Sequence, residues 1–151
     1  MRWIKFLKYD KARIKVSLDF MEGEIRGREK EEVITIDDEM INNSEEAVIT
    51  IAGHEVRVYV PRYVDYVIMK VISCRASDIR DLASLIHENG IPKELRRRVE
   101  KIIPNPAIFY AKIKERIIPE IKSKTFLDSW RGIMATTEYK EGDKEKVISE
   151  F

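Results

Sequence analysis

The hydrophobic period of this sequence changes at Pro61, and that change limits the folds that the chain can adopt. Before Pro61, several short runs are β-branched or alternate between apolar and polar side chains, which is the pattern of strands. These runs are residues 3–7, 14–20, 33–36, 47–51 and 55–60. After Pro61, apolar residues recur at helical spacing, beginning with Tyr63, Val64, Val67 and Ile68. Strands followed by helices, without alternation, indicate an α+β fold.

We therefore expect an N-terminal, mostly antiparallel β-sheet followed by a C-terminal helical bundle. Residues 1–60 form the β-rich part, residues 61–135 form the helical part packed on it, and residues 136–151 form a polar tail with a short helix. A chain of 151 residues matches a single globular domain, since domains usually have about 100–200 residues. Such a chain buries enough surface to fold without disulfides or a structural metal.

Composition excludes several classes of protein. The formal net charge is +1, so the chain as a whole has no electrostatic attraction to nucleic acid. A single cysteine, Cys74, lies in an apolar run and predicts a small buried side chain. No signal peptide and no membrane-spanning run is visible, and we expect a cytoplasmic protein without membrane contact. The absence of glutamine beside abundant Lys, Arg and Glu is typical of heat-adapted proteins.

A polar cluster is predicted where two helices meet. Lys70 lies near the edge of the first helix's apolar stripe, and Arg75, Asp78 and Asp81 surround the start of the next helix. Asp78 as the N-cap and Asp81 three residues later would stabilise that helix start, which is a complete structural explanation. The functional alternative is a site in which these charges hold Mg²⁺ and the phosphates of a nucleotide.

Asp19 is a second candidate, because it falls on the polar face of the alternating strand 14–20. Aspartate is disfavoured in strands, so the residue is either a solvated turn former or a carboxylate placed to act as a base or metal ligand. Two histidines and one cysteine are too few and too scattered for a zinc site. A glycine-rich phosphate loop is also absent from the sequence.

The helix predicted over residues 92–101 is strongly basic. Arg96, Arg97 and Lys101 lie on it, and two interpretations remain open. The side chains form either a solvated face or a strip that binds the phosphates of RNA.

Residues 14–85 resemble part of the nucleotidyltransferase fold, specifically the AbiEii-type abortive-infection toxins and the minimal nucleotidyltransferases. In that family, a strand of the form hydrophobic-x-hydrophobic-Asp carries an active-site carboxylate, and here it reads Val16-Ser17-Leu18-Asp19. The family also has a helix with Lys-hydrophobic, followed by Arg, Asp-hydrophobic and a further Asp. Here the matching residues are Lys70-Val71, Arg75, Asp78-Ile79 and Asp81.

The resemblance implies roles for these residues. Asp19 is expected to bind Mg²⁺ or act as a base, Lys70 to contact the phosphates of a nucleoside triphosphate, and Asp81 to orient Lys70. Arg75 and Asp78 are expected to contribute to nucleotide binding. Family members also carry a Gly-Ser or Gly-Gly turn followed by a strand with Asp-x-Asp, and this sequence contains no such segment. We therefore expect a degenerate or truncated member, related to toxin–antitoxin systems and inactive alone.

The alternative is a non-catalytic module that binds protein or RNA, in which the polar cluster is structural. Under either interpretation the truncated sheet leaves a strand edge unpaired. Unpaired edges invite pairing with another chain, so we expect a homodimer or a protein partner that completes the sheet.

Overall fold

The α+β prediction is confirmed by a computed structural model of the chain. It describes the backbone of residues 4–11 and 14–20 and, with side chains, residues 23–27, 29–51 and 53–151. The strands of this part pair consecutively as three two-stranded antiparallel hairpins, β1–β2, β3–β4 and β5–β6. Their bounds are β1 Ile4–Lys11, β2 Ile14–Phe20, β3 Glu24–Arg26, β4 Val33–Thr35, β5 Glu45–Ile51 and β6 His54–Val60.

The helices follow the hairpins, apart from one short helix between them. They are α1 Asp38–Asn42, α2 Tyr63–Ser73, α3 Ala76–Asn89, α4 Leu95–Ile102, α5 Pro106–Lys112, α6 Ile118–Lys122, α7 Phe126–Met134 and α8 Glu141–Glu150. None of these helices is both long and apolar enough to cross a bilayer.

Two short elements form outside the strand runs that the sequence predicts before Pro61. Strand β3 lies in the charged connection before Val33 and pairs with β4, with Ile25 opposite Ile34. Helix α1 lies in the acidic stretch after β4. Asp37 caps this helix, because its side chain accepts a hydrogen bond from the backbone N–H of Met40 at 2.9 Å.

Helix α2 begins where the helical spacing of apolar residues begins, whereas α3 begins at a different residue from the one predicted. Helix α2 starts at Tyr63, and Pro61 lies before its N-terminal cap, Arg62. Helix α3 starts at Ala76, so the prediction that Asp78 is its N-cap is wrong. Asp78 instead occupies the third helical position, where its carboxylate accepts the backbone N–H of Arg75 at 3.1 Å. An acidic side chain at this position satisfies a free N–H at the helix start and favours the positive end of the helix.

The core is formed mainly by α2 and the helices around it, since α2 packs against α3, α4 and α5. Its apolar stripe supplies fully buried side chains that meet those of the neighbouring helices. The most deeply buried include Val67, Ile68, Val71, Leu82, Ile86, Val99, Phe109, Ile117, Phe126 and Trp130. The site described below lies at the end of α2, so this core holds it in place.

The helical stretch from Pro106 to Lys122 is interrupted. Its central residues, Ile113–Ile117, form a π-helical segment between α5 and α6. Pro119 explains the interruption, because it has no N–H to donate and its ring would collide with the carbonyl of Glu115. A wider turn at this point relieves the collision.

The last segment is not a detached polar tail, as the sequence suggested. Helix α8 docks on the domain through Val147, which is fully buried, and through α3 and α6. Tyr139 stacks on the buried Trp130 with ring centroids 3.9 Å apart. His87 Nε2 lies 3.1 Å from Asp143 Oδ1, which ties α3 to the start of α8. A few well-placed apolar residues are therefore enough to fold this polar sequence onto the core.

Candidate functional site

The predicted polar cluster forms at the junction of α2 and α3. Lys70 Nζ lies 2.6 Å from Asp81 Oδ2 and 2.9 Å from Asp78 Oδ1. The other oxygen of Asp78 accepts hydrogen bonds from Ser73 Oγ at 2.7 Å and from the backbone N–H of Arg75. One lysine of α2 thus bridges two carboxylates in the first turns of α3.

The electrostatics of the cluster favour its charged form. Burial alone would lower the pKa of Lys70, but the hydrogen bonds to Asp81 and Asp78 outweigh it and hold that pKa above its ordinary value. Burial likewise opposes ionisation of Asp78, yet the hydrogen bonds from Ser73 and Lys70 lower its pKa. Lys70 therefore remains protonated at neutral pH and has no tendency to act as a base.

Arg75 differs from Lys70, because its side chain is exposed. Only its backbone N–H takes part in the cluster, and the guanidinium has no ion-pair partner within the described residues. The side chain lines a cleft of about 430 Å³ together with Lys70 and Asp78. Arg26 and Tyr66 line the same cleft, which is open between the β3–β4 hairpin and α2. The volume lies in the range of small-molecule sites, about 300–1,000 Å³.

The described residues do not fit the Mg²⁺ that the nucleotidyltransferase resemblance implies. Mg²⁺ requires several oxygen ligands in near-octahedral geometry. Both oxygens of Asp78 are already hydrogen-bonded, and Asp81 is paired with Lys70. Across residues 23–27, 29–51 and 53–151, no group of three acidic, histidine or cysteine side chains is arranged to hold a metal ion.

Asp19 lies in β2, between Leu18, which pairs with Leu7, and Phe20, which pairs with Ile4. Its side chain lies outside the described residues, so its predicted roles as catalytic residue and Mg²⁺ ligand stay predictions.

No protein-family model, no curated protein and no solved structure matches this chain. The resemblance to nucleotidyltransferases therefore stays a prediction from the sequence.

A second, larger cleft of about 620 Å³ shares Ser73 with the first and is lined by Cys74, Lys112 and Arg116. Cys74 ends α2 in the left-handed conformation, with φ 47°. Burial raises the pKa of its thiol, so the unreactive protonated form dominates at neutral pH. Glu32, from the loop before β4, is buried against Lys112. Acidic and basic side chains both line this cleft, and they favour no single ligand charge.

The basic side chains of α4 are paired within the protein. Arg97 and Lys101 contact Glu39 of α1, at 2.7 Å and 2.8 Å, and Arg96 contacts Glu100 at 3.0 Å. These ion pairs neutralise much of the positive charge that would otherwise attract RNA phosphates. The arrangement supports the structural interpretation of this helix face over the RNA-binding one.

A buried charge network that sequence reasoning missed lies beneath this face. Arg98 is fully buried and bonds Asp65 of α2, Asp37 before α1 and Glu39. The hydrogen bond from Arg98 holds the pKa of Asp37 well below its usual range. A signal was present, because Arg98 occupies the same helical stripe as Leu95 and Ile102 and so points inward.

Proposed function

We propose that this chain is a nucleotidyltransferase-like protein that binds a nucleotide but does not transfer it alone. The cleft beside Lys70 carries the proposal, since three cationic side chains and one aromatic ring line it. Arg75 is free to bind phosphate, whereas Arg26 of β3 also pairs with Glu24. The Tyr66 ring, with Lys70 Nζ 5.3 Å from its centroid, adds an aromatic surface for a base. A nucleoside triphosphate combines these features, with anionic phosphates and a flat apolar base.

Catalysis is not part of this proposal. Nucleotidyl transfer uses metal ions to stabilise the developing charge on the transferred phosphate. Both oxygens of Asp78 and one oxygen of Asp81 already accept hydrogen bonds, so the two carboxylates offer too few oxygens to hold a metal. In this chain we therefore assign Lys70 and Asp81 to holding α2 against α3, and Arg75 to the ligand.

Calorimetric titration with ATP, CTP, GTP and UTP tests the proposal. Each nucleotide is titrated once with Mg²⁺ and once with a chelator, because the geometry predicts binding that does not require metal. We expect one nucleotide to bind at micromolar to millimolar concentration, about −4 to −8 kcal/mol. Absence of heat with all four nucleotides would remove the proposal.

Two variants separate ligand binding from folding. Arg75→Ala is expected to weaken nucleotide binding about tenfold or more and to leave the melting temperature unchanged, because the side chain is exposed. Arg96→Ala is the matched control, since Arg96 is exposed and does not line this cleft. Equal affinities for the Arg75→Ala and Arg96→Ala proteins would place the ligand elsewhere.

The alternative function is a non-catalytic module that binds protein. The exposed β5–β6 hairpin favours it, and we propose self-association as a homodimer on that basis. RNA is the weaker partner, because Arg97 and Lys101 are already paired with Glu39. A cytoplasmic location, suited to a nucleotide ligand, completes the proposal.

A further inference from the structure

The β5–β6 hairpin has one apolar face. Residues directly opposite each other on the two strands share a face, and faces alternate along each strand. One face carries the pairs Glu45–Val60, Ala47–Val58, Ile49–Val56 and Ile51–His54. The opposite face carries Glu46–Tyr59, Val48–Arg57 and Thr50–Glu55. The first face is therefore a continuous apolar strip with one acidic and one imidazole side chain at its ends.

This apolar face is open to solvent in the single chain. Ile49 and Ile51 are 42% and 47% exposed, and Val60 is 43% exposed. The two strands pack chiefly against each other, with at most weak contacts to other elements of the described chain. An isolated two-stranded hairpin with a bare apolar face is marginally stable in water, so a covering surface would stabilise it.

We infer that a second copy of this chain covers the face, with the two hairpins packed face to face and antiparallel. The inference rests on the self-association proposed above and identifies its surface. A two-fold interface requires a patch that is complementary to itself. This face meets the requirement, because its centre is uniformly apolar and its two polar residues have complementary hydrogen-bonding groups.

The positions of those polar residues select the orientation. His54 lies at the turn end of the face and Glu45 at the opposite end. In the antiparallel arrangement, the turn end of one hairpin lies over the open end of the other. Each His54 then lies near the Glu45 of the other copy, and its imidazole N–H can donate to that carboxylate. In the parallel arrangement, the Glu45 side chains of the two copies would lie at the same end of the interface, where their like charges repel.

The size of the face sets the strength expected. Each strand has seven residues, which span about 23 Å at 3.3 Å per residue. The hairpin is two strands wide, so the buried area falls well below the roughly 800 Å² per partner of a stable interface. We therefore expect weak self-association, with a dissociation constant between about 10 μM and 1 mM.

Sedimentation equilibrium of the full chain up to about 1 mM tests the inference. Ile49→Asp is expected to weaken self-association at least about tenfold, because the charge enters the apolar centre. Val48→Asp is the matched control, since Val48 is the adjacent exposed residue on the opposite face, and its dissociation constant should stay within about twofold of the original. Circular dichroism of each variant confirms that it is folded.

A charge exchange tests the orientation. His54→Glu should weaken the dimer about tenfold by placing two carboxylates together, and Glu45→Lys in the same protein should restore it. A dimer that Ile49→Asp leaves intact would overturn the inferred surface but not the proposed self-association. A monomer at every concentration would overturn both. A dimer lost in Ile49→Asp but unaffected by His54→Glu would overturn the antiparallel orientation.

Discussion

Arg98 Nη2 lies 2.6 Å from Asp65 Oδ1, and both side chains are fully buried. The same guanidinium reaches Asp37 and Glu39, so a single residue of α4 links α2 to the start of α1. A buried charge loses its interactions with water, and hydrogen bonds and opposite charges within the protein must replace them. The network therefore fixes the position of α1, and with it the strand β5 that follows.

Arg98→Met is expected to destabilise the protein by about 3–5 kcal/mol, because the buried Asp65 loses its hydrogen-bonded cation and keeps only Arg62, 3.6 Å away. Arg96→Met is the control on the same helix, where the side chain is 86% exposed and a change within about 0.5 kcal/mol is expected. Urea unfolding of both variants measures the difference. Equal urea midpoints for the two variants would show that the network makes no net contribution to the free energy of unfolding.

Acid should unfold the protein through this network. Hydrogen bonds from Arg98 to Asp37, and from Arg97 and Lys101 to Glu39, lower the pKa values of both carboxyl groups. Below about pH 4, the unfolded chain therefore takes up protons that the native state does not, and the free energy of unfolding falls as the pH falls. Urea midpoints at pH 6, 4 and 3 test this. A midpoint at pH 3 equal to that at pH 6 would contradict it.

Lys70→Met is expected to lower stability by about 1.5–3 kcal/mol, since Asp78 and Asp81 both lose a charged hydrogen-bond donor. Lys93→Met is the control, because Lys93 is exposed and lies outside the cluster. Thermal unfolding and nucleotide titration are measured on both proteins. Unchanged stability with lost nucleotide binding would instead assign Lys70 to the ligand, as the resemblance implied.

Ala135→Gly is expected to raise stability by about 0.5–1 kcal/mol. Ala135 ends α7 in the left-handed conformation, with φ 50°, and is exposed. A side chain in this region costs roughly 1–2 kcal/mol, which glycine avoids, although glycine also increases the entropy of the unfolded chain. Ala135→Val should destabilise by the same reasoning. Opposite signs for the two substitutions in thermal unfolding would confirm the strain at this position.

Local patterns predicted the Lys70 cluster because its members lie within twelve residues of one another. Lys70 on α2 meets Asp78 and Asp81 on α3 because the two helices are consecutive and pack against each other across a short turn. The N-cap was predicted three residues too late, at Asp78 instead of Arg75. The carboxylate of Asp78 accepts the backbone N–H of Arg75, so the helix can begin before Asp78. Helix ends depend on such local competition for hydrogen bonds.

The Arg98 network could not be predicted in the same way. Its partner Asp37 precedes Arg98 by 61 residues, and a short acidic stretch resembles a solvated turn until α1 forms. The inward direction of Arg98 was readable from its helical stripe, but the identity of its partners depends on how α4 packs on α2. Tertiary packing decides which distant charges form pairs, and such pairs produce no recognisable spacing in the sequence.

The stack of Tyr139 on Trp130 gives the chain a built-in optical probe. Trp130 is fully buried, and its indole N–H donates to Ser84 Oγ at 2.7 Å. Departure of the last helix would free Tyr139 and admit water to the indole, shifting its emission to longer wavelength while the remaining helices stay folded. With Trp3→Phe removing the second tryptophan of the sequence, fluorescence alone would time the opening of the C-terminal end.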